Sequence, residues 1–219
     1  VTGVEGNVLN GNLSGTYTSA TYRISGDLTI ANGDTVILQP GTEFLFDGYY
    51  KFTVFGMIKA LGAEGDSIIF DNYENNNIWK DGINLDNSNY ESEFKYVRVS
   101  GTAPGFKCIS SSFTLDHVTI SGNGTSGFGI GGLYLDECHP IITNFLIDNN
   151  GGSAGAFYSS HPNMTNGAIT NHVKDEGAGL DMIGSNPILT NVVIANNYSE
   201  THGPALRLSV SNPKLINVT

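Results

Sequence analysis

Three acidic residues in the carboxyl-terminal part of the sequence form its best candidate for a chemical site. Asp175 and Glu176 are adjacent, and Asp181 follows shortly after them. His202 follows Glu176 at the same distance along the chain as Arg207 follows Asp181, and this distance also occurs in the repeat described below. Carboxylates with a histidine can hold calcium or a sugar, or act as general acid and base. The alternative is that Asp175 and Glu176 are solvated charges of a surface loop.

Two histidines occupy equivalent positions in neighbouring repeats. His139 and His161 each stand directly before a proline, and Asn186 and Asn212 hold the same place before the next two prolines. Stacked imidazoles can bind a transition metal, but two ligands do not close a site, and asparagine replaces histidine further along. We therefore expect a ladder of polar turn residues and keep the metal site as the alternative. A second such column consists of Asn150, His172 and Asn197.

Aromatic residues between positions 71 and 93 are candidates for contacts with a glycan, because exposed rings stack on sugars. They are Trp79, Tyr73 and Tyr90. The alternative for Trp79, which we favour, is that it opens a strand and caps the core. The stretch 71–93 is irregular and rich in asparagine and acidic residues, so it is the longest candidate surface loop and the place where a binding function is most easily added.

An internal repeat defines the elements that must position these residues. Proline, three residues and then asparagine recur in the segments 140–144, 162–166, 187–191 and 213–217. Two earlier segments carry the same apolar alternation with Tyr96 and His117 in the place of asparagine, so that the copies stand at positions 96, 117, 144, 166, 191 and 217. We expect the asparagines to stack as a structural ladder rather than to bind a ligand; they are Asn144, Asn166, Asn191 and Asn217.

The apolar alternation between these positions predicts short, half-buried strands separated by turns. A further strand begins eight residues before each of the four prolines, and regularly spaced glycines separate miniature strands in the section 1–70. Such units are too small to bury their own apolar faces, so they must stack. We predict an all-β, right-handed parallel β-helix with three short strands per coil of about 24 residues. It is a single domain comprising a glycine-punctuated section (1–70), a surface insertion (71–93) and regular coils (94–219).

The same stretches resemble secreted bacterial right-handed β-helix repeat proteins, which have the pectate-lyase-like superfamily fold. The resemblance rests on Gly26–Phe46, Phe52–Gly62, Ile68–Phe70 and Trp79–Ile83, and the Pro-x-x-x-Asn copies are similar to the repeats that follow in that family. It covers nearly the whole chain and implies the fold. The family includes adhesion-type surface proteins and polysaccharide lyases, so the resemblance does not imply a single function.

Charge and its distribution narrow the function classes. The net charge is −11, from 10 Lys and Arg against 21 Asp and Glu, without a basic cluster, which argues against nucleic acid or an anionic membrane as partner. No apolar run is long enough for a membrane span. The outward column before the prolines reads Lys107, Tyr134, Ala156, Asp181 and Arg207. Polysaccharide lyases of this fold need calcium-holding carboxylates beside a lysine or arginine base. Lys107 and Arg207 are four coils apart, about 19 Å, so these two residues are too far apart to act on one bond.

We therefore expect a non-catalytic extracellular scaffold, either a cell-surface adhesion or a fibre module. The alternative is a carbohydrate-active β-helix protein, as polysaccharide lyase or glycan-binding module, with calcium as an optional ion and polysaccharide as partner. The chain begins at Val1 without a leader and ends shortly after Asn217. This fits a segment of a longer secreted protein, or a subunit that docks end to end with further coils. Cys108 and Cys138 lie in no metal-like spacing, and we expect two buried thiols, with a bridge as the alternative.

Overall fold

The computed structural model describes residues 7–74, 79–124 and 129–219, and in these the protein is a parallel β-solenoid of about eight coils. The all-β fold predicted from the sequence is thereby confirmed. None of the described residues forms a helix that is long and apolar enough to cross a membrane. The strands are β1 (Asn7–Asn12), β2 (Gly15–Tyr17), β3 (Thr21–Ile30), β4 (Thr35–Leu38), β5 (Glu43–Phe46), β6 (Lys51–Val54), β7 (Met57–Leu61), β8 (Ile68–Asn72), β9 (Trp79–Asp86), β10 (Glu91–Val99), β11 (Thr102–Ala103), β12 (Phe106–Ile109), β13 (Ser112–Ser121), β14 (Ile130–Asp136), β15 (Ile141–Asp148), β16 (Ser153–Tyr158), β17 (Asn163–Thr170), β18 (Val173–Glu176), β19 (Leu180–Ile183), β20 (Ile188–Ala195), β21 (Tyr198–His202), β22 (Leu206–Ser209) and β23 (Lys214–Val218).

Each strand pairs in parallel with the strand one coil away. Ile141 pairs with Asn163, which pairs with Ile188, so equivalent residues stack in columns along the solenoid. One coil is longer than the coils that contain Ile141 and Asn163: Lys59 and its partner Glu93 are separated by more residues of the sequence. Some of the extra residues lie between β7 and β8, because Lys95 and Val97 pair with Leu61 and Ile68. Others lie in the predicted insertion 71–93, yet this stretch also contains β9, which pairs with β6 and β12. The insertion is therefore not one surface loop, and its residues 75–78 lie outside the described residues.

From Asn87 onward the chain turns a corner three times per coil, and a residue in the left-handed backbone region stands at each corner. At the first of these corners the residue bends the long strands β10, β13, β15, β17 and β20, which explains why each of them contains two of the three predicted strands of a coil. In β23 the corner residue Asn217 lies next to the last residue of the strand. Asparagine suits these corners, since its short polar side chain tolerates this backbone. The first column is Tyr96, His117, Asn144, Asn166, Asn191 and Asn217; the second is Gly101, Gly122, Asn149, Asn171 and Asn196; the third is Asn87, Ser110, Glu137, Ser159, Gly184 and Val210.

The inward residues of the strands form one apolar core along the axis. Its amino-terminal part is aromatic, and Trp79 stacks on Phe46 with ring centroids 4.2 Å apart. Polar columns enter the interior directly after the second and third corners. Serines follow the third corner, where the backbone N–H of Ser160 donates to Oγ of Ser185, and that of Ser185 donates to Oγ of Ser211. Such side chains satisfy amides that the turning backbone leaves without a strand partner.

Cys108 and Cys138 form a disulfide that joins neighbouring coils. The expectation of two free thiols was therefore wrong. Cys138 occupies the serine column, and its N–H donates to Oγ of Ser160 as a serine there would do. Cys108 lies on β12, one coil away, and both residues are fully buried. Their spacing in the sequence gave no signal because it is set by stacking, which brings together residues that are distant along the chain.

Val210 is the exception among the corner residues, and we predict that replacing it stabilises the protein. A β-branched residue is strained in the left-handed region, and Val210 has a φ of 50° with 91% of its surface exposed, so no packing compensates the strain. Val210→Asn is expected to raise the free energy of unfolding by about 1 kcal/mol, measured by urea denaturation. Val193→Asn, at an exposed valine of β20, is the control and should give no gain. A fall in stability for Val210→Asn would contradict the strain.

The disulfide is predicted to stabilise the solenoid as a staple. Closing a loop of this length restricts the unfolded chain by about 3–4 kcal/mol, so Cys108→Ala with Cys138→Ser should lose roughly that amount in urea denaturation. Serine is the usual residue of the Cys138 column, so the fold should be kept. Ser160→Ala, which removes one hydrogen-bond acceptor from the same column, should cost about 1–3 kcal/mol. An unchanged midpoint of urea denaturation in the double variant would show that the disulfide does not stabilise the protein.

Candidate functional site

The predicted acidic cluster forms where two pairs of strands meet. β19 pairs with β22, so Asp181 lies beside Arg207, and β18 pairs with β21, so Glu176 lies beside His202. Gly177 leads from β18 to the outward face of β19 with a φ of 66°, and a Cβ atom there would lie 3.0 Å from Cβ of Asp181. The turn thus needs glycine. Glu176 and His202 are separated in the sequence by the same number of residues as Asp181 and Arg207, and this number is the length of one coil.

Arg207 joins the two carboxylates of this cluster. Its Nη1 donates to both oxygens of Asp181, each at 3.1 Å, and its Nη2 lies 3.0 Å from Oε2 of Glu176. Asp181 is only 7% exposed, so the guanidinium offsets the cost of burying its charge. His202 is more distant, with Nδ1 3.8 Å from Oε1 of Glu176, and its side chain is 78% exposed. The cluster is an ion-pair network within the protein.

This arrangement is poorly suited to acid and base catalysis on a glycan. Glycoside hydrolysis needs two carboxyl groups on opposite sides of the scissile bond, whereas Asp181 and Glu176 contact the same guanidinium. Asp175 does not join them: it is exposed, and its backbone oxygen accepts hydrogen bonds from Ser199 and Thr201.

A calcium ion would compete with Arg207 for the same carboxylate oxygens, and calcium requires six to eight oxygen ligands. In the ranges 7–74, 79–124 and 129–219, no three His, Cys, Asp or Glu side chains are grouped so as to hold a metal. Calcium binding stays an untested prediction.

Two tyrosines beside the cluster were not selected from the sequence. Tyr158 lies next to Tyr134, with ring centroids 5.5 Å apart. Burial raises the pKa of Tyr158, the charge of Asp181 raises it further, and Arg207 opposes both. Burial also raises the pKa of Tyr134, with a contribution from Asp136. The sequence pattern already placed Tyr134 among the outward residues of its strand. The position of Tyr158 beside the cluster is evident only from the register between coils.

The three predicted aromatic contacts do not form one platform. Trp79 is fully buried, and its Nε1 donates to the backbone oxygen of Ser100. Its ring belongs to the core, as the alternative favoured from the sequence predicted, and is not exposed to stack on a glycan. Tyr73 is half-buried beneath the guanidinium of Arg23, which lies 4.9 Å from the ring centroid. Tyr90 is half-buried at another corner, after β9.

The predicted asparagine ladder lies at an exposed corner. Nδ2 of Asn191 donates to Oδ1 of Asn166 at 3.0 Å, and Nδ2 of Asn217 donates to Oδ1 of Asn191 at 3.1 Å. Asn144 donates instead to Oδ1 of Asp116. These amides hold their neighbours in adjacent coils, so much of their hydrogen-bonding capacity is used within the protein.

A concave surface of about 410 Å³ lies where this first corner carries rings instead of amides. Tyr96 stacks on His117 with ring centroids 4.5 Å apart. The surface is lined by Ser67, Tyr96, Arg98, His117, Val118, Thr119, Asn144, Phe145 and Leu146. Aromatic rings, a guanidinium and amides are the groups with which proteins hold polar rings such as sugars.

Asp116 fixes the orientation of His117 at this surface. Nδ1 of His117 lies 3.0 Å from Oδ1 of Asp116. Burial raises the pKa of Asp116, but hydrogen bonds from Asn144, Thr143 and His117 outweigh it and hold the pKa below its ordinary value. The carboxylate therefore accepts the Nδ1 proton, which leaves Nε2 of His117 as an acceptor for a ligand.

No protein-family model, curated protein or solved structure matches the chain. The structure supports a β-helix fold, while the pectate-lyase-like relationship and the secreted bacterial origin stay interpretations of the sequence.

The ion-pair network gives a stability prediction. Arg207→Met leaves the carboxylate of Asp181 buried without its cation, and because Arg207 is partly exposed we expect a loss of about 1–3 kcal/mol. Adding Asp181→Leu should restore part of that loss in urea denaturation. Arg98→Met removes an exposed arginine and should change stability by less than about 0.5 kcal/mol. Equal effects of Arg207→Met and Arg98→Met would contradict the network.

Proposed function

We propose that the protein is a non-catalytic structural scaffold that acts outside the cell or on its surface, as an adhesion or fibre module. The observation that carries this proposal is the continuity of the polar columns inside the solenoid. The serine column runs from Ser88 to Ser211 with Cys138 in place of one serine, and the asparagine column runs from Asn123 to Asn197. These residues hold successive coils in one register, which is what an extended, persistent support requires.

The contacts of the charged cluster also favour a structural role. Arg207 is bound by Asp181 and Glu176, and Lys107 lies in the same column across four coils. A β-elimination needs a free base beside neutralised carboxylates, so these residues serve the fold better than they serve a lyase. Stabilising the last coils through this network fits a scaffold.

The disulfide supports the proposed location. Disulfides persist in oxidising compartments and are rare in the cytosol, and Cys108 and Cys138 are bonded and fully buried. An extracellular or cell-surface site supplies the oxidising conditions that form this bond. End-to-end contact with further coils or another subunit is also part of the proposal, since parallel coils can stack on their own kind.

A glycan-binding module is the second candidate, and the concave surface favours it. Tyr96 and His117 present stacked rings, Arg98 is exposed beside them, and Nε2 of His117 is available as an acceptor. The rings and the guanidinium are outward side chains, so binding there is compatible with the scaffold.

One set of assays separates the functions. With calcium present, we expect no unsaturated product from alginate, pectate or chondroitin, measured by ultraviolet absorbance. Product formation that Asp181→Asn abolishes would reverse the scaffold proposal in favour of a lyase. Binding of oligosaccharides without turnover, lost in Tyr96→Ala and kept in Tyr90→Ala, would establish the second candidate. Absence of both leaves the scaffold, which should also resist proteinase K in its native state.

A further inference from the structure

A buried column at the second corner contains one histidine among asparagines. Oδ1 of Asn150 accepts hydrogen bonds from the backbone N–H and the Nδ2 of Asn123, while its Nδ2 donates to the backbone oxygen of Ile120. Oδ1 of Asn197 accepts from the backbone N–H of His172, and its Nδ2 donates to the backbone oxygen of Ile169. Neither amide can be flipped without losing these bonds.

The fixed amides determine the protonation state of His172. Nδ2 of Asn150 faces Nε2 of the imidazole at 3.2 Å, so Nε2 must accept, and Oδ1 of Asn197 faces Nδ1 at 2.9 Å, so Nδ1 must donate. Only the neutral ring with its proton on Nδ1 satisfies both neighbours. A second proton on Nε2 would set one donor against another in a fully buried position.

His139 and His161 are acceptors at the third corner. Nδ1 of His139 accepts the backbone N–H of His161, and Nδ1 of His161 accepts the backbone N–H of Asn186, both at 2.9 Å. The two exposed rings are stacked, with centroids 4.9 Å apart. Since Nδ1 is occupied, the proton of each neutral ring is on Nε2, which argues against the metal site that the sequence left open. Asn186 continues the column with its Oδ1, which accepts the N–H of Asn212.

The charged groups around these rings offer little compensation for added protons. Asp148 is the carboxylate whose charge acts on His172, but it already accepts hydrogen bonds from Thr170 and Asn171. Lys174 on β18 donates to Ser153. Around the stacked pair, the register places Asp136 and Glu137 on the coil of His139, Glu91 two coils before it, and Lys214 beyond Asn186. Within the described part of the chain, none of these forms an ion pair with His139 or His161.

We propose that His139, His161 and His172 make the coils from 138 to 197 an acid-sensitive section of the solenoid. Each ring accepts a hydrogen bond that holds two coils together, and protonation converts that acceptor into a donor. In the stacked pair, charging both rings would also place two like charges 4.9 Å apart between ring centroids. Loss of these contacts loosens the coils locally in acid, while the coils before β14 keep their packing.

His117 provides an internal contrast. Its Nδ1 faces the carboxylate of Asp116, so a second proton on Nε2 breaks no hydrogen bond of the ladder and strengthens the attraction to Asp116. Acid sensitivity therefore depends on the acceptor role of the ring and not on the presence of a histidine in a corner column.

The lowered pKa of His172 determines the direction in which stability changes with pH. Burial lowers its pKa below the ordinary 6.5, and the hydrogen bond with Asn197 and the charge of Asp148 only partly oppose this. The unfolded chain therefore binds a proton at a higher pH than the folded chain does. The contribution of His172 is complete above about pH 6.5 and is lost progressively as the pH falls below that value toward the folded pKa.

The test uses asparagine, the residue that these columns already contain. The melting temperature is measured from about pH 7.5 to about pH 5 for the wild type and for His139→Asn/His161→Asn/His172→Asn. We expect the wild type to lose more of its melting temperature in acid than the variant does. Hydrogen exchange at acidic pH should show protection in peptides from 138–197 reduced by about tenfold relative to the variant, with peptides from 28–70 unchanged.

His117→Asn is the matched control, because asparagine also occupies that column and the chemical change is the same. The His117→Asn variant should lose as much of its melting temperature in acid as the wild type does. Parallel melting profiles of the wild type and the triple variant would overturn the proposal, as would a His117→Asn variant that abolishes the acid loss. If the triple variant does not fold at neutral pH, His172→Asn alone and the pair His139→Asn/His161→Asn are each compared with the wild type by the same criterion.

Discussion

The structure depends on satisfying the backbone at its corners. Parallel strands pair their N–H and C=O groups with the coils on either side, but a chain that turns three times per coil interrupts that pairing at every turn. The corner residue adopts the left-handed backbone, and at the second and third corners a polar side chain just after it turns inward to accept an amide from the preceding coil. Asparagine, serine and histidine can do this because each offers a compact acceptor close to the backbone. The polar columns are therefore as necessary to the fold as the apolar core.

This requirement explains substitutions that look unrelated in the sequence. Cys138 stands in the serine column, where its backbone N–H still donates to Oγ of Ser160 and its sulfur bonds to Cys108 on the neighbouring coil. His172 stands among asparagines because an imidazole with its proton on Nδ1 presents the same acceptor and donor as an amide. Tyr96 and His117 replace the amide hydrogen bonds of the first corner by ring stacking. Each replacement keeps neighbouring coils in contact while changing the chemistry of the column.

The sequence predicted the fold well because stacking imposes periodicity on it. The Pro-x-x-x-Asn copies located the first corner at Asn144, Asn166, Asn191 and Asn217, and the spacing of these copies placed Arg207 beside Asp181. What the sequence could not predict depends on direction and on contacts across coils. Cys108 and Cys138 meet by register, and the serine column is hidden because serine is also common in surface turns. The concave surface beside Tyr96 arises from neighbouring strands and has no local motif.

The division between inward and outward residues also limits where function can lie. A change in an inward column alters the contact between coils, so Asn150 or Ser185 cannot vary freely without cost to the fold. Outward residues do not carry this constraint: the column of Asp181 contains lysine, tyrosine, alanine and arginine in other coils. Where outward side chains are tied to each other, as Arg207 is to two carboxylates, they act as part of the support. Where they are left open beside a ring pair, as Arg98 is beside Tyr96 and His117, they can meet a ligand without altering a single contact that holds the coils in register.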